Sequence, residues 1–271
     1  MGYPWIFCLS LCLVIAACNG PKKADPITDC ELAEELYERH GRQGSHRSQI
    51  YLDSAIKLCP SLAKAWREIS VPYLKRGDYA TWSHYMDRAV ELEPAHYLNV
   101  RGWCKIKFLH DYEGGLDDLL RYDQLIESDL KIAGEYNLYT WMAFAKLGLG
   151  DSLAALEYFN KSIESALAKG EEWIGQYDYL YRGILKLELK NYDGAMQDFD
   201  EQIRLYDKLA DVHYYKGLTW QRMGQGSKAQ AALRRAHQLF TDEGNHISDP
   251  YVEMPWEIYL EDIDSLLSFR R

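Results

Sequence analysis

Residues 63–94 read AKAWREISVPYLKRGDYATWSHYMDRAVELEP, and the fold turns on how this stretch is parsed. Trp66, Ile69 and Tyr73 recur at helical spacing, Gly77-Asp78-Tyr79 interrupts them, and Met86, Ala89 and Leu92 resume the stripe before Pro94 ends it. Steps of three and four place side chains on one helix face, and a Gly-Asp pair between two such runs marks a tight turn. The stretch is therefore a helical hairpin, and a single hairpin cannot cover its own apolar face.

The layout returns along the chain. Residues 179–205 repeat it with Tyr179, Arg182-Gly183, Asn191-Tyr192, Ala195, Phe199 and Leu205, and the next unit follows 34 residues later with His213, Lys216-Gly217, Gly224, Ala229, Leu233, Ala236 and Leu239. Arg101-Gly102, Asp111-Tyr112, Gly115, Leu119 and Leu125 mark another unit, with one extra residue between its Gly and its Tyr. Ala143, Gly150-Asp151, Ala155 and Phe159 mark a fourth, while Leu32, Leu36, Ala55, Leu58 and Pro60 form a looser first unit around a polar turn. Small residues at Gly183, Gly217, Ala195 and Ala229 let helices approach, and Trp66, Tyr79, Tyr192 and Phe199 fill the space between them. Around the fourth unit the step lengthens to near 40 residues, which longer helices or linkers would absorb.

Trp66, Ile69-Ser70, Tyr73, Met86, Ala89 and Pro94 resemble the tetratricopeptide (TPR) pattern almost position by position. Trp82 stands where that family carries a small Ala, so the two helices there open slightly or repack. The resemblance implies an all-α TPR α-solenoid of about six helical hairpins with a C-terminal capping helix. The units are 29–62, 63–95, 96–135, 136–175, 176–209 and 210–240; within 241–271, residues 241–249 read as a loop and 250–267 as the cap, helical after Pro255. In TPR proteins the first (A) helices line a concave groove through the second, fifth, ninth and twelfth repeat positions. Carried over, these are Lys64, Arg67, Asn99, Trp103, Thr140, Phe144, Tyr177, Leu180, Ile184, Tyr214 and Leu218. That groove suits a peptide or helix of another protein; packing of Trp103 and Phe144 into the core is the alternative.

The N-terminal 17 residues read as an address. Trp5–Ala17 is an uncharged apolar run of 13 residues, too short to cross a bilayer core, which takes about 20, and right for a signal h-region. Val14-Ile15-Ala16-Ala17-Cys18 resembles a bacterial lipoprotein lipobox, which implies cleavage before Cys18 and acylation there with palmitate-type chains. An ordinary signal peptide cleaved after Ala17, or a buried helix, is the alternative. Residues 18–28 are polar, carry Gly20, Pro21 and Pro26, and read as a flexible tether. Asn19 is not the Asp associated with inner-membrane retention, so the expected address is the bacterial cell envelope, leaning to the outer membrane. In that oxidising compartment Cys30 and Cys59 stand at neighbouring ends of the first hairpin, where either a disulfide or two buried thiols would fit. Cys104 reads as a buried core thiol.

Thirty-one Lys and Arg against 41 Asp and Glu give a formal charge of −10, which opposes binding to nucleic acid. HExxH, GxSxG and CxxC are absent. Gly224–Lys228 lacks the full phosphate-loop pattern, and Asn191–Gly194 with Asp198 and Asp200 lacks calcium-loop spacing. His40 and His46 have no carboxylate or Cys at ligand spacing, and the adjacent pairs Asp117/Asp118 and Glu171/Glu172 read as solvated faces. Neither cofactor nor metal is expected. The resulting expectation is a noncatalytic, membrane-anchored scaffold or adaptor that binds another envelope protein, with self-association left open; an envelope enzyme using the repeats as a stalk is the rival. Among TPR lipoproteins the chain resembles type IV pilotins, hydrolase-presenting adaptors and barrel-assembly accessory lipoproteins alike.

Overall fold

A computed structural model describes residues 28–268, so the signal segment, Cys18 and residues 18–27 of the tether lie outside the described residues. Twelve α-helices pair into six antiparallel hairpins: α1 (Asp29–Glu38) with α2 (His46–Leu58), α3 (Ala63–Lys75) with α4 (Tyr79–Leu92), and α5 (Pro94–Cys104) with α6 (Tyr112–Leu125). They continue with α7 (Leu138–Gly148) and α8 (Ser152–Lys169), α9 (Asp178–Glu188) and α10 (Tyr192–Leu205), and α11 (Ala210–Arg222) and α12 (Gly226–Gln238). Each A helix packs on its own B helix, and each B helix packs on the next A helix. The expected all-α solenoid of six hairpins is the fold.

The turns show why the sequence punctuation works. The A helix ends on a residue with positive φ, Gly77 (76°), Gly150 (78°), Lys190 (62°) or Gly224 (72°). The next backbone N–H then reaches back five residues, as from Asp78 to Tyr73 at 2.9 Å and from Asn191 to Lys186 at 2.9 Å, satisfying carbonyls the helix leaves open. Asp78, Asp111, Asp151 and Asn191 in turn cap the B helices, each accepting from the N–H three residues on at 3.0–3.2 Å. Hairpin 3 departs at the position where the sequence has its extra residue. Lys105–Leu109 forms a π-helical turn ending on left-handed His110, and the Asp111 N–H reaches back six residues to Lys105.

Within a hairpin the helices meet closely at glycine. A Cβ on Gly183 would lie 2.6 Å from the Phe199 ring, and one on Gly217 would lie 2.8 Å from Leu233. Beside these contacts, Arg182 grips Asp198 with two hydrogen bonds of 2.9 and 2.7 Å while Lys186 adds a third contact at 2.7 Å. Arg101 and Lys105 grip Asp118 in the same way. Asp118 is therefore buried in an A-to-B clamp and is not on a solvated face as its sequence neighbourhood suggested. Phe199 is fully buried, Trp66 and Tyr192 are half-buried, and Tyr79, at the start of α4, is exposed.

Cys30 and Cys59 are joined by a disulfide with Cα atoms 4.8 Å apart, closing the first hairpin. Cys104 is buried. Between α6 and α7 a short antiparallel ladder pairs β1 (Ile132–Ala133) with β2 (Tyr136–Asn137) and takes up part of the longer step. The 18-residue α8 and a 3₁₀ turn at Glu171–Trp173 take up the rest. The C-terminal expectation needs correction. Leu239–Glu243 is a π-helical turn rather than loop, and among the described residues of the tail only α13 (Leu260–Ser268) is helical, because Pro250 and Pro255 disfavour a helix in the residues ahead of them and Trp256 takes a left-handed backbone, φ 60°. Residues 245–259 are irregular.

Replacing Gly183 with Ala should cost about 1–3 kcal/mol, since the new methyl must push the Phe199 ring aside. Gly226→Ala, with nothing within 4 Å of the added carbon, should leave urea unfolding unchanged or slightly strengthened. Equal midpoints for the two variants would remove close A-to-B approach as the reason for glycine at position 183.

Candidate functional site

The irregular segment 245–259 crosses the A-helix face, the face that the sequence assigned to a partner. It starts at α11, where the Ala210 N–H donates to Asn245 at 2.8 Å and the Ile247 N–H donates to the Asp211 carboxylate at 3.0 Å. It then reaches hairpin 3, where Lys107 Nζ meets Asp249 at 2.7 Å, and α3, where Lys75 lies over the Tyr251 ring at 5.6 Å. The chain returns past Trp141 and Phe144, which with Val252–Trp256 wall a cavity of about 800 Å³. Trp256 ends the crossing: its ring lies 6.2 Å from Tyr181 and 6.3 Å from Phe159, its N–H donates to Glu188 at 2.7 Å, and its carbonyl accepts from the Tyr215 hydroxyl at 2.8 Å. Five successive A helices thus border the crossing segment, which then leads into α13, packed on α12.

The anchors of this segment are apolar. Ile247, Met254 and Ile258 are buried, whereas Tyr251 between them is 55% exposed. Beyond Tyr251 the A-helix face opens into a second cavity of about 450 Å³ between α3 and α5. Arg67, Val71, Lys75, Val100 and Trp103 line it together with Asp249 and Tyr251.

The sequence-assigned groove residues divide into five groups. Arg67 and Trp103 line the second cavity, Tyr177, just ahead of α9, and Tyr214 and Leu218, on α11, are half-buried, and Lys64 pairs with Glu34 and Glu38 of α1 instead. Asn99 donates to the Ile132 carbonyl at 2.9 Å and so fastens β1 to α5. Thr140, Phe144, Leu180 and Ile184 are corrections, since all four are buried. Thr140 sits 2.9 Å from the Ser162 hydroxyl and 3.3 Å from Asp178, between helices. Leu180 lies under α10, its N–H donating to Gln202. The residues facing the tail are one position further on, at Trp141, Tyr181 and Tyr215. Phe144 is buried among Tyr136, Trp141 and Tyr181 in the wall of the tail-covered cavity. Ile184 lies within the same core.

Lys75, Lys107, Asp211 and the crossing of residues 245–259 over the A helices escaped the sequence reading, which took the tail only as a cap. The usable signal was the alternation in Asp249-Pro-Tyr-Val-Glu-Met-Pro-Trp256, too apolar for a solvated loop and too rich in proline for a helix.

Burial pushes the Asp211 carboxyl up to about 6, against the opposing pull of the Ile247 N–H. An unfolded Asp titrates near 3.9, so the folded chain holds the extra proton between the two values. The stability this confers is complete below about pH 4 and is lost as pH rises to about 6. The difference in unfolding free energy between wild type and Asp211→Asn should fall across that window; a constant difference would show that Asp211 is not the titrating anchor of the tail.

No family model matches the sequence, and no curated protein matches it. In structure the chain is similar to PilF of Pseudomonas aeruginosa, at 16% identity over 79% of this chain and 94% of that one, with a TM-score of 0.61. It is equally similar to PilW, a widely conserved type IV pilus biogenesis factor, at 16% identity over 89% and 97% with a TM-score of 0.61. YrrB, a TPR protein with an unusual peptide-binding site, matches at 16% identity over 71% and 94% with a TM-score of 0.53. What the chain shares with all three is the architecture of a TPR α-solenoid.

Proposed function

We propose that the protein is a noncatalytic protein–protein interaction scaffold whose A-helix face receives a segment of another protein, and that acylated Cys18 holds it to a membrane of the bacterial cell envelope, the outer membrane by preference. One observation carries the binding role: this face already holds a nonhelical stretch of polypeptide, residues 245–259, through side chains from successive A helices. Aromatic side chains, an ion pair and hydrogen bonds to backbone are the means by which repeat surfaces hold peptides. The described helices include none long and apolar enough to cross a membrane, so the proposed attachment rests on the lipobox-like run before Cys18. Acyl chains contribute about 0.8 kcal/mol per buried methylene, and two or more are needed for stable anchoring.

Two measurements test the reading. A photo-crosslinking amino acid at Val71, in the open cavity, should capture a distinct envelope protein in living cells, and one at Leu153, 70% exposed on α8, should not. Equal capture at both positions, or none at Val71, would remove the A-helix face as the binding surface. Cys18→Ser should shift the chain from the membrane pellet to the soluble fraction; retention in the pellet would end the lipid-anchor assignment.

A further inference from the structure

The crossing segment is held unevenly. Ile247 and Met254 are buried on either side of its tip, yet Pro250, Tyr251 and Glu253 within the tip are exposed. Little apolar area is lost if the tip lifts, so the tip opens more readily than the anchors that flank it. The obstacle to lifting is electrostatic. The Lys107 side chain is 6% exposed, bonded to Glu135 on one side and to Asp249 on the other. Removing Asp249 takes one of two carboxylates from a buried ammonium, which is costly unless another carboxylate arrives. Lys75, under the Tyr251 ring, has no carboxylate within ion-pair distance among the described residues and donates instead to Gln43 at 3.2 Å.

The tip also has a definite shape. The Asp249 carboxylate that meets Lys107 accepts from the N–H groups of Tyr251 and Val252 at 2.9 and 3.2 Å, so one side chain both builds a turn and makes the ion pair. This turn presents the Tyr251 ring to Lys75. The cavity of about 450 Å³, which Asp249 and Tyr251 themselves help to line, also offers Arg67, Val71, Val100 and Trp103 to a chain longer than the tip.

We propose that residues 249–251 are an internal stand-in for a partner's segment: the partner presents an Asp followed two residues later by an aromatic side chain, displaces the tip from Lys107 and Lys75, and runs on into the open cavity. The inference rests on the scaffold reading and adds to it the chemistry of the partner and the gate it must open. Ile247 and Met254 keep the rest of the tail in place during the exchange. A segment without the acidic residue leaves Lys107 half-neutralised and does not compete.

The test uses the full chain and a labelled, capped peptide of residues 246–253, with fluorescence anisotropy as the readout. Wild type should bind weakly, because its own tip competes. The Asp249→Asn/Tyr251→Ala variant should bind the peptide at least tenfold more tightly, and the same peptide carrying Asn in place of its Asp should lose that gain. Adding Lys75→Glu should weaken binding again. Tyr251→Ala alone, at an exposed position, should show part of the gain and guards against a variant that fails to fold. No gain in either variant, or equal binding of the Asn peptide, overturns the proposal. If the unhooked variant instead forms dimers in sedimentation, the groove takes a second copy and the assignment to a different protein falls. Capture at Val71 without peptide binding would leave the scaffold reading standing and this inference refuted; peptide binding without capture would refute the scaffold reading alone.

Discussion

The closeness of the two helices in a hairpin is the constraint on which the rest is built. Where α9 passes α10 there is no room for a β-carbon at Gly183, and the Phe199 ring occupies that space. That approach brings Arg182 and Lys186 within reach of Asp198, and a buried carboxylate with three charged contacts locks the pair in one rotation about its axis. Hairpin 3 repeats the device with Gly102, Arg101, Lys105 and Asp118. Replacing such an ionic clamp by apolar residues need not weaken a fold, but breaking one half of it is severe. Its value here is orientation: it decides which stripe of each A helix faces the neighbouring hairpin and which faces inward.

Orientation then determines what the inner face is made of. Trp141, Phe144, Tyr181 and Tyr215 come from three different hairpins and converge under the tail. Left uncovered, such a patch would attract nonspecific contacts. The chain supplies its own cover, and the cover is also a seal for the last hairpin, since α13 packs on α12 directly after the crossing. One C-terminal segment therefore performs two tasks that a capping helix alone would not.

The hairpins were legible because their signals are local. A left-handed residue followed by an Asx cap is written within two positions, as at Gly150-Asp151, and helical stripes need only a dozen residues to show themselves. The extra residue of hairpin 3 was also visible, and the structure spends it in the π-helical turn that carries Lys107. Inner-face residues were legible near this well-phased start, at Arg67 and Trp103. They were misplaced by one position at Thr140, Leu180 and Tyr214, because it is the tail that meets Trp141, Tyr181 and Tyr215, and no residue near them announces that contact. The tail's destination was beyond reach for a different reason. Lys107 and Asp249 are 142 residues apart, and nothing in either neighbourhood names the other.

The bridge between Cys30 and Cys59 has a mechanical consequence. Cys30 is the second residue of α1, and Cys59 directly follows α2, 29 positions later. Traction applied to the polypeptide ahead of Thr28 would enter at Cys30 and pass through sulfur straight to the start of the second hairpin. Helices α1 and α2 would hang outside the line of force as slack, and the first element to feel the load would be α3, which forms one wall of the open cavity.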